Sequence, residues 1–315
     1  MLQAIQNIVQ TTQHNEDSSS SAEKSLEDRG HDSGQHNDGG LSLDIAEQSP
    51  LGESTQYVDA YTPSLLYPMS RQEIRDSLTL FQADDALGED VWTAYEFSWL
   101  DNQGKPHVAG LRVHVPCQSA AIVESKSFKL YLNSFAMTRF DSRTEVLKTL
   151  DQDLTLAFRS PVLVDMFELN QLVTPAQQLN GVCLDEQDVR IEYYRYKPDL
   201  LVVEQEDVVV HETLYTHLFR SLCPVTSQPD WASVVIEYSG SPIARDALLK
   251  YLVSFRTHQA FHETTIEQIY CDLLAYCEPN QLFVGGYFQR RGGLDINPFR
   301  SNFDNQRPLI RLPRQ

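Results

Sequence analysis

From Tyr57 onward the chain switches repeatedly between two hydrophobic periods. Two-residue alternation and short apolar runs rich in Val, Ile, Phe and Tyr predict strands over 91–100, 108–115, 162–169, 191–196, 200–204, 208–219, 233–238 and 282–288. Apolar positions three and four apart predict helices over 127–135, 143–154, 244–255 and 263–277. In each half two strands precede two helices and further strand follows, an α+β order of antiparallel hairpins rather than a βαβ alternation. Residues 1–52 show neither period. They are rich in Ser, Asp, Glu, Gln, Asn and Gly, and cannot bury enough apolar surface to offset their ordering entropy. This stretch is predicted to be a disordered acidic extension, with at most a frayed turn over 2–9.

The two halves resemble each other. Residues 127–135 align without gaps on 247–255, sharing Tyr131 with Tyr251, Leu132 with Leu252, Ser134 with Ser254 and Phe135 with Phe255. With the same order of elements on both sides, this predicts a duplication, residues 53–180 and 181–315. The differences say more. Glu124-Ser125-Lys126 precedes the first helix of the first half, where the second has Ala244-Arg245-Asp246. Cys223 and Asp230 lie in the first hairpin of the second half, where the first has Asp101-Asn102-Gln103-Gly104. Phe261-His262-Glu263 opens a helix of the second half, opposite Phe140-Asp141-Ser142 in the first. Halves that each kept different chemical groups predict one composite site that needs both.

Composition narrows the partners. A net charge of −19 argues against a nucleic-acid surface, which requires clustered Lys and Arg. Ten acids face only Lys24 and Arg29 within residues 1–55, so −8 of that charge sits there and −11 in the rest. The five cysteines, 117, 183, 223, 271 and 277, are odd in number and lack the spacing of a disulfide framework or zinc ribbon, which fits a reducing cytoplasmic compartment. No apolar run reaches the length of a membrane span and no secretory signal opens the chain, so a soluble protein is expected.

The segment Cys223-Pro224-Val225-Thr226-Ser227-Gln228-Pro229-Asp230 puts a thiol and a carboxylate seven positions apart on a stretch stiffened by two prolines. A thiolate attacks electrophilic carbon, and a carboxylic acid can protonate what that attack produces. The segment taken alone fits equally a Pro-rich turn with a buried Cys. A thiol of pKa about 8.5 needs a proton acceptor or a local positive field to react at neutral pH. Asp230, to act as an acid there, must collect a proton from Cys223 or have its pKa raised by burial. His262 could relay protons or simply end a helix. On the residues alone Glu124 and Glu263 read as a helix-capping and a first-turn acid. No GxGxxG follows a strand, which excludes a Rossmann dinucleotide site. Several readings stay open on residues alone: a cysteine enzyme acting on an electrophilic carbon, such as a hydrolase of nitriles or amides, a zinc-dependent enzyme using His211, His217 and Cys223, and a catalytically dead scaffold.

Four stretches, in this order, decide among them. Glu124-Ser125-Lys126-Ser127-Phe128-Lys129-Leu130-Tyr131, the Cys223–Asp230 segment, Phe261-His262-Glu263 and Arg290-Arg291-Gly292-Gly293-Leu294-Asp295-Ile296-Asn297-Pro298 together resemble the QueF-type nitrile reductases. Leu51-Gly52-Glu53-Ser54-Thr55 and the run from Tyr61 to Leu66 resemble the start of the long, two-repeat form. The resemblance covers residues 51 to about 303. It implies two tandem T-fold (tunnelling fold) ββααββ units packed side by side. It also implies NADPH-dependent reduction of the nitrile of 7-cyano-7-deazaguanine to 7-aminomethyl-7-deazaguanine in queuosine biosynthesis, through a covalent thioimide on Cys223. The roles it implies are catalysis by Cys223, Asp230 and His262, substrate binding by Val123, Glu124, Ser125, His262 and Glu263, and NADPH contacts at Ser125, Lys126, Arg291 and Gly292. It implies no metal, no membrane, no direct nucleic-acid partner and a cytoplasmic homodimer.

Overall fold

The computed structural model describes residues 58–76, 78, 86–172, 176–205, 207–303 and 310–315. The expected disordered extension 1–52, its turn over 2–9 and the Leu51–Thr55 motif lie outside them. Strand β1 (Pro68–Ser70) and a short helix α1 (Arg71–Arg75) lead into β2 (Leu87–Leu100) and β3 (Pro106–Pro116), then β4 (Ala121–Val123), α2 (Ser125–Ser134), α3 (Arg143–Phe158) and β5 (Leu163–Phe167). The second half runs β6 (Val182–Cys183), β7 (Val210–Leu222), β8 (Pro229–Gly240), α4 (Arg245–Ser254), α5 (His262–Cys277), β9 (Gln281–Phe288) and β10 (Leu294–Ser301). Eight strands form one sheet in the order β5-β3-β2-β10-β9-β8-β7-β6, and β1 pairs with β4 beside it. Among the strand pairs of the described residues, only β6–β7 is parallel.

The helices lie on this sheet because their apolar residues repeat at helical spacing. In α2 the buried stripe is Phe128, Tyr131 and Leu132, continued by Phe135 at its end; in α4 it is Leu248, Tyr251 and Leu252, continued by Phe255. Each stripe feeds its own cluster. One gathers Trp92, Phe97, Trp99, Tyr131, Phe135 and Leu150, the other Phe219, Ile236, Tyr251, Phe255, Ile269 and Phe288. The aligned residues also make matching bonds. Tyr131 and Tyr251 donate to Asp153 and Asp272, and Tyr61 and Tyr196 donate to the same two carboxylates. Ser134 and Ser254 each donate to the carbonyl three residues back, at 2.6 Å. Bulges fall at Ala94/Phe97 in β2 and at Thr216/Phe219 in β7.

Two predicted strands do not form. Residues 191–196 alternate correctly, yet Tyr196 is drawn off to Asp272 and no strand pairs with them. Residues 200–204 make a single bridge, Val203 to Ile243, after a 3-10 turn over Pro198–Leu200. β10 is the converse case. Its buried Asp295 and Arg300 break the apolar pattern and Pro298 argues against a strand. The proline is accommodated because pairing with β9 begins only at Phe299.

Candidate active site

Cys223 is the first residue beyond β7 and Asp230 the second of β8. The hairpin between them is closed by Cys223 N–H donating to the Gln228 carbonyl at 2.9 Å and Ser227 N–H donating to the Cys223 carbonyl at 3.0 Å. The hairpin is also anchored from behind: Leu222 N–H donates to the His258 carbonyl, and the Leu222 carbonyl accepts from Ala260 N–H, both in the segment before α5. That segment carries His262 and Glu263 as the first two residues of α5. The β9–β10 hairpin turns through Gly292 and Gly293, at φ 61° and 86°, and presents Arg291. Glu124, Ser125 and Lys126 come from the start of α2.

One cavity of about 370 Å3 is lined by all of Val123, Glu124, Ser125, Lys126, Cys223, Asp230, His262, Glu263, Arg291 and Gly292. Every site residue implied by the resemblance thus meets at one place, with contributions from both halves of the chain, whereas His211 and His217 of the zinc reading do not line it.

Asp230 is buried and doubly held. One oxygen takes the Arg291 guanidinium at 2.5 Å, the other lies 3.4 Å from His262 Nε2. Burial alone would raise its pKa, but the hydrogen bond and charge of His262 and the charge of Arg291 outweigh it, and the carboxyl is held below the usual range. Of the two routes by which Asp230 could collect a proton, a pKa raised by burial is therefore removed, and a proton taken from Cys223 is left. The Arg291 guanidinium is itself held above its usual range: burial opposes its charge, but Asp230 and then Cys223 outweigh that. Arg291 also donates to Gln228 Oε1 at 2.6 Å. It does not pair with Asp295, which accepts from Tyr95 and Asn297 instead. The His262 ring stacks on Phe288, centroids 3.8 Å apart, and its Nδ1 is buried without a partner among the described residues.

The two glutamates differ. Glu124 caps α2: its two oxygens accept the backbone N–H of Lys126 and of Ser127, each at 2.7 Å. Burial pushes its carboxyl up against the pull of these amides. Glu263, 3% exposed, is pushed up to about 7 by burial, the charge of Asp90 adding to the rise and those of His262 and Arg71 opposing it. Its side chain is thus poised between acceptor and donor.

Lys129, Thr226, Gln228 and Phe261, legible in the sequence only as members of motifs, and Trp92 also line the cavity, and none of them is assigned a role from the sequence. For Lys129 a signal existed: it lies three positions after Lys126 on a helix, on the same face. The cavity suits a phosphate-bearing dinucleotide on its own evidence. A Cβ at Gly292 would lie 2.5 Å from Lys129 Nζ, so the glycine leaves room for that ammonium, and Lys126 also lines the cavity. Among the described residues no group of three His, Cys, Asp or Glu is placed to hold a metal ion, and no helix is long and apolar enough to cross a membrane.

Comparison with known proteins follows the same lines. A family model described as nitrile reductase, 7-cyano-7-deazaguanine-reductase N-term, matches residues 57–166, and a QueF-like protein model matches 229–307. Cys223 falls between the two matched segments. Proteins named NADPH-dependent 7-cyano-7-deazaguanine reductase are similar across most of the chain. The one from Aromatoleum aromaticum is 49% identical over 269 residues, covering 82% of this chain and 94% of its own. That from Chromohalobacter salexigens is 48% identical over 274 residues, 85% and 97%. That from Hydrogenovibrio crunogenus is 45% identical over 271 residues, 86% and 98%. The solved apo structure of the archaeosine synthase QueF-Like covers 33% of this chain and 100% of its own at 19% identity, with a TM-score of 0.27, and bears no weight.

Proposed function

The chain belongs to the NADPH-dependent 7-cyano-7-deazaguanine reductase family, and from that premise we propose how its cavity reduces the nitrile of 7-cyano-7-deazaguanine to the aminomethyl group. The observation that carries the reading is the convergence of Cys223, Asp230, His262 and Glu263 with Lys126 and Arg291 on one cavity.

Glu263 accepts the N–H donors along the edge of the deazaguanine, which orients the nitrile toward Cys223. Glu124, already accepting from two amides, has lone pairs left and joins it, with Val123 and Ser125 at the same wall. The Cys223 sulfur bonds to the nitrile carbon. Its proton passes to the ionised Asp230 and on to the nitrile nitrogen, so that S–H and one C–N π bond are exchanged for S–C and N–H, giving a thioimide. The low pKa of Asp230 suits this order, because the carboxylate must take the proton before it can give it. His262, against Asp230, returns protons as nitrogen becomes the amine. Ser125, Lys126, Arg291 and Gly292 would hold NADPH, which would supply one hydride per molecule. Between the two hydrides the Cys223 S–C bond breaks and the thiol leaves, so that two molecules in succession account for the four electrons of the reduction. Exclusion of water by the enclosing hairpins keeps the intermediate imine from hydrolysis.

The matching bonds of the two halves, Tyr131 to Asp153 as Tyr251 to Asp272 and Ser134 to the Tyr131 carbonyl as Ser254 to the Tyr251 carbonyl, support two tandem T-fold units, 53–180 and 181–315, packed side by side behind an extension 1–52. A homodimer in the cytoplasm completes the reading, on the strength of the resemblance. The test is direct. Substrate without NADPH should raise the intact mass by one substrate molecule; Cys223→Ala should remove that shift and Cys183→Ser should retain it. Two NADPH should be oxidised per amine formed. A hydrolase would consume none, and an adduct surviving in Cys223→Ala would sink the assignment.

A further inference from the structure

The histidine of the site is engaged at one nitrogen and sealed at the other. His262 Nε2 lies 3.4 Å from an oxygen of Asp230, whereas Nδ1 is buried and has no partner among the described residues. A lone pair at Nε2 would face the negative charge of the carboxylate, so the neutral ring carries its proton there and leaves Nδ1 bare. A relay that takes a proton in at one ring nitrogen and passes it out at the other needs a partner for each. Here only Nε2 has one, so the ring works from Nε2 alone.

A single contact at 3.4 Å does not fix an imidazole, whose χ2 torsion is soft. Phe288 supplies the constraint. Its ring lies parallel to the imidazole, with 5° between the planes and 3.8 Å between the centroids, and it is fully buried. Any turn of the imidazole about χ2 out of that plane drives its edge into the phenyl face. The phenyl ring is fixed in its turn. Phe288 N–H donates to Asn297 Oδ1 at 3.0 Å, and Phe219 meets the ring edge-on at 6.4 Å between centroids. Gly286, two residues earlier on the same face of β9, makes the room: a Cβ there would lie 2.8 Å from Phe288 Cε2 and 2.7 Å from Ile266 Cδ1. Ile266 stands one turn after His262, so the face of α5 that bears the histidine packs on this part of β9. Register brings in the carboxylate as well. Phe288 is opposite Ala232 of β8, and Asp230 precedes Ala232 by two residues, on the same face. The strand beside the one that carries Asp230 thus sets the plane of the histidine that meets it.

We propose that Phe288 is a positioning residue of the reduction: its ring holds the plane in which His262 Nε2 meets Asp230 and returns protons to the substrate nitrogen. The proposal rests on the reductase reading above and adds to it the group that orients its histidine.

The experiment joins nitrogen-15 NMR of the full chain, labelled at histidine, to kinetics of Phe288→Leu, Gly286→Ala, His262→Ala and the double variant Phe288→Leu/His262→Ala. The His262 resonances are those lost in His262→Ala. In the native chain the neutral ring should show a protonated Nε2 and a bare Nδ1, and in Phe288→Leu the two shifts should move toward each other as the tautomers mix. Phe288→Leu should lower kcat about 10- to 100-fold, as for a misplaced catalytic group, with the KM for NADPH little changed. It should still form the Cys223 adduct without NADPH, because Asp230 takes that proton. Gly286→Ala pushes the phenyl ring without removing it and should lower kcat in the same direction. In the His262→Ala background Phe288→Leu should add little further loss, since the residue it positions is gone. A merely structural Phe288 would instead cost the same factor with and without His262. That result overturns the proposal, as does native kcat in Phe288→Leu, full activity in His262→Ala, or a native ring protonated at Nδ1. The native spectrum is read without altering the core, so a poorly folding Phe288→Leu does not remove the test. A native chain that captures no base and oxidises no NADPH defeats the reductase reading itself. One that does both, with Phe288→Leu its equal, defeats the positioning role alone.

Discussion

At the scale of single residues the site is governed by two carboxyls displaced in opposite directions. Asp230 is buried yet held ionised, because Arg291 and His262 supply more than burial removes. Glu263 is as buried but is left near 7, with Asp90 adding to the rise. An ionised Glu263 is the form that accepts N–H donors, so substrate affinity should be nearly flat above pH 7 and fall by up to about tenfold per pH unit below it. Binding to Cys223→Ala, which cannot form the covalent bond, measures this directly between pH 5.5 and 8.5. Glu263→Gln should weaken binding and remove the pH dependence, and a sloping profile in that variant would assign the titration elsewhere. Asp230→Asn should lower kcat by about 10²- to 10⁴-fold with substrate affinity little changed, as steady-state kinetics will read. Cys223, Asp230, His262 and both glutamates were legible in the sequence only through the resemblance, since the chemistry of each side chain alone fitted a structural role as well. Their charge states were not. Arg291 lies 61 residues from Asp230 along the chain, and only the fold brings a guanidinium there.

At the scale of elements the same helix that presents His262 and Glu263 is bolted down one turn later. Glu267, fully buried, pairs with Arg75, Arg300 and Arg71, and Arg71 and Arg300 also reach Asp90 at 2.7 and 2.8 Å. These five charges tie α5 to α1, β2 and β10. Burial alone would raise the Glu267 pKa, but the three guanidiniums outweigh it and hold it at about 2. A depressed carboxyl contributes stability that is complete above its unfolded value near 4.5 and lost as the pH falls toward 2. Glu267→Gln should therefore destabilise the fold by about 3–5 kcal/mol at neutral pH, by leaving guanidiniums buried and under-compensated, with the deficit closing on acidification. Denaturant unfolding at pH 7 and at pH 3 checks both parts, and an equal deficit at the two pH values would contradict it. Nothing in the sequence disclosed this cluster. Arg71 and Arg75 sit on a five-residue helix too short for a periodic signal, and Arg300 reads as an interruption of β10. The helices α2 to α5 were legible because their apolar spacing is local, whereas residues 191–196 carry a strand pattern with no strand to pair with.

At the scale of the whole molecule, β10 decides whether the two halves can behave independently. It follows β9 in the second half, yet its eight residues pair with 87–94 of β2 in the first. Its Leu294 and Ile296 join the cluster of Trp92 and Phe128 rather than that of Phe219 and Phe288. The sheet thus passes from one core to the other without an edge, and the cavity lies where the two meet. Unfolding either cluster must strip β10 from β2 and expose the other cluster's border. Two autonomous domains would melt separately, whereas this arrangement should unfold in a single transition with calorimetric and van't Hoff enthalpies in agreement. The tryptophans offer a local check, because Trp92 and Trp99 belong to the first cluster and Trp231 to β8 in the second half. A variant retaining only Trp231 and another retaining only Trp92 and Trp99 should report the same change in denaturation midpoint on addition of NADPH, since a ligand that binds the shared cavity stabilises both halves together. Separate midpoints, or a shift seen by one set of tryptophans alone, would show that β10 does not couple the halves and that the composite site is held by the hairpins only.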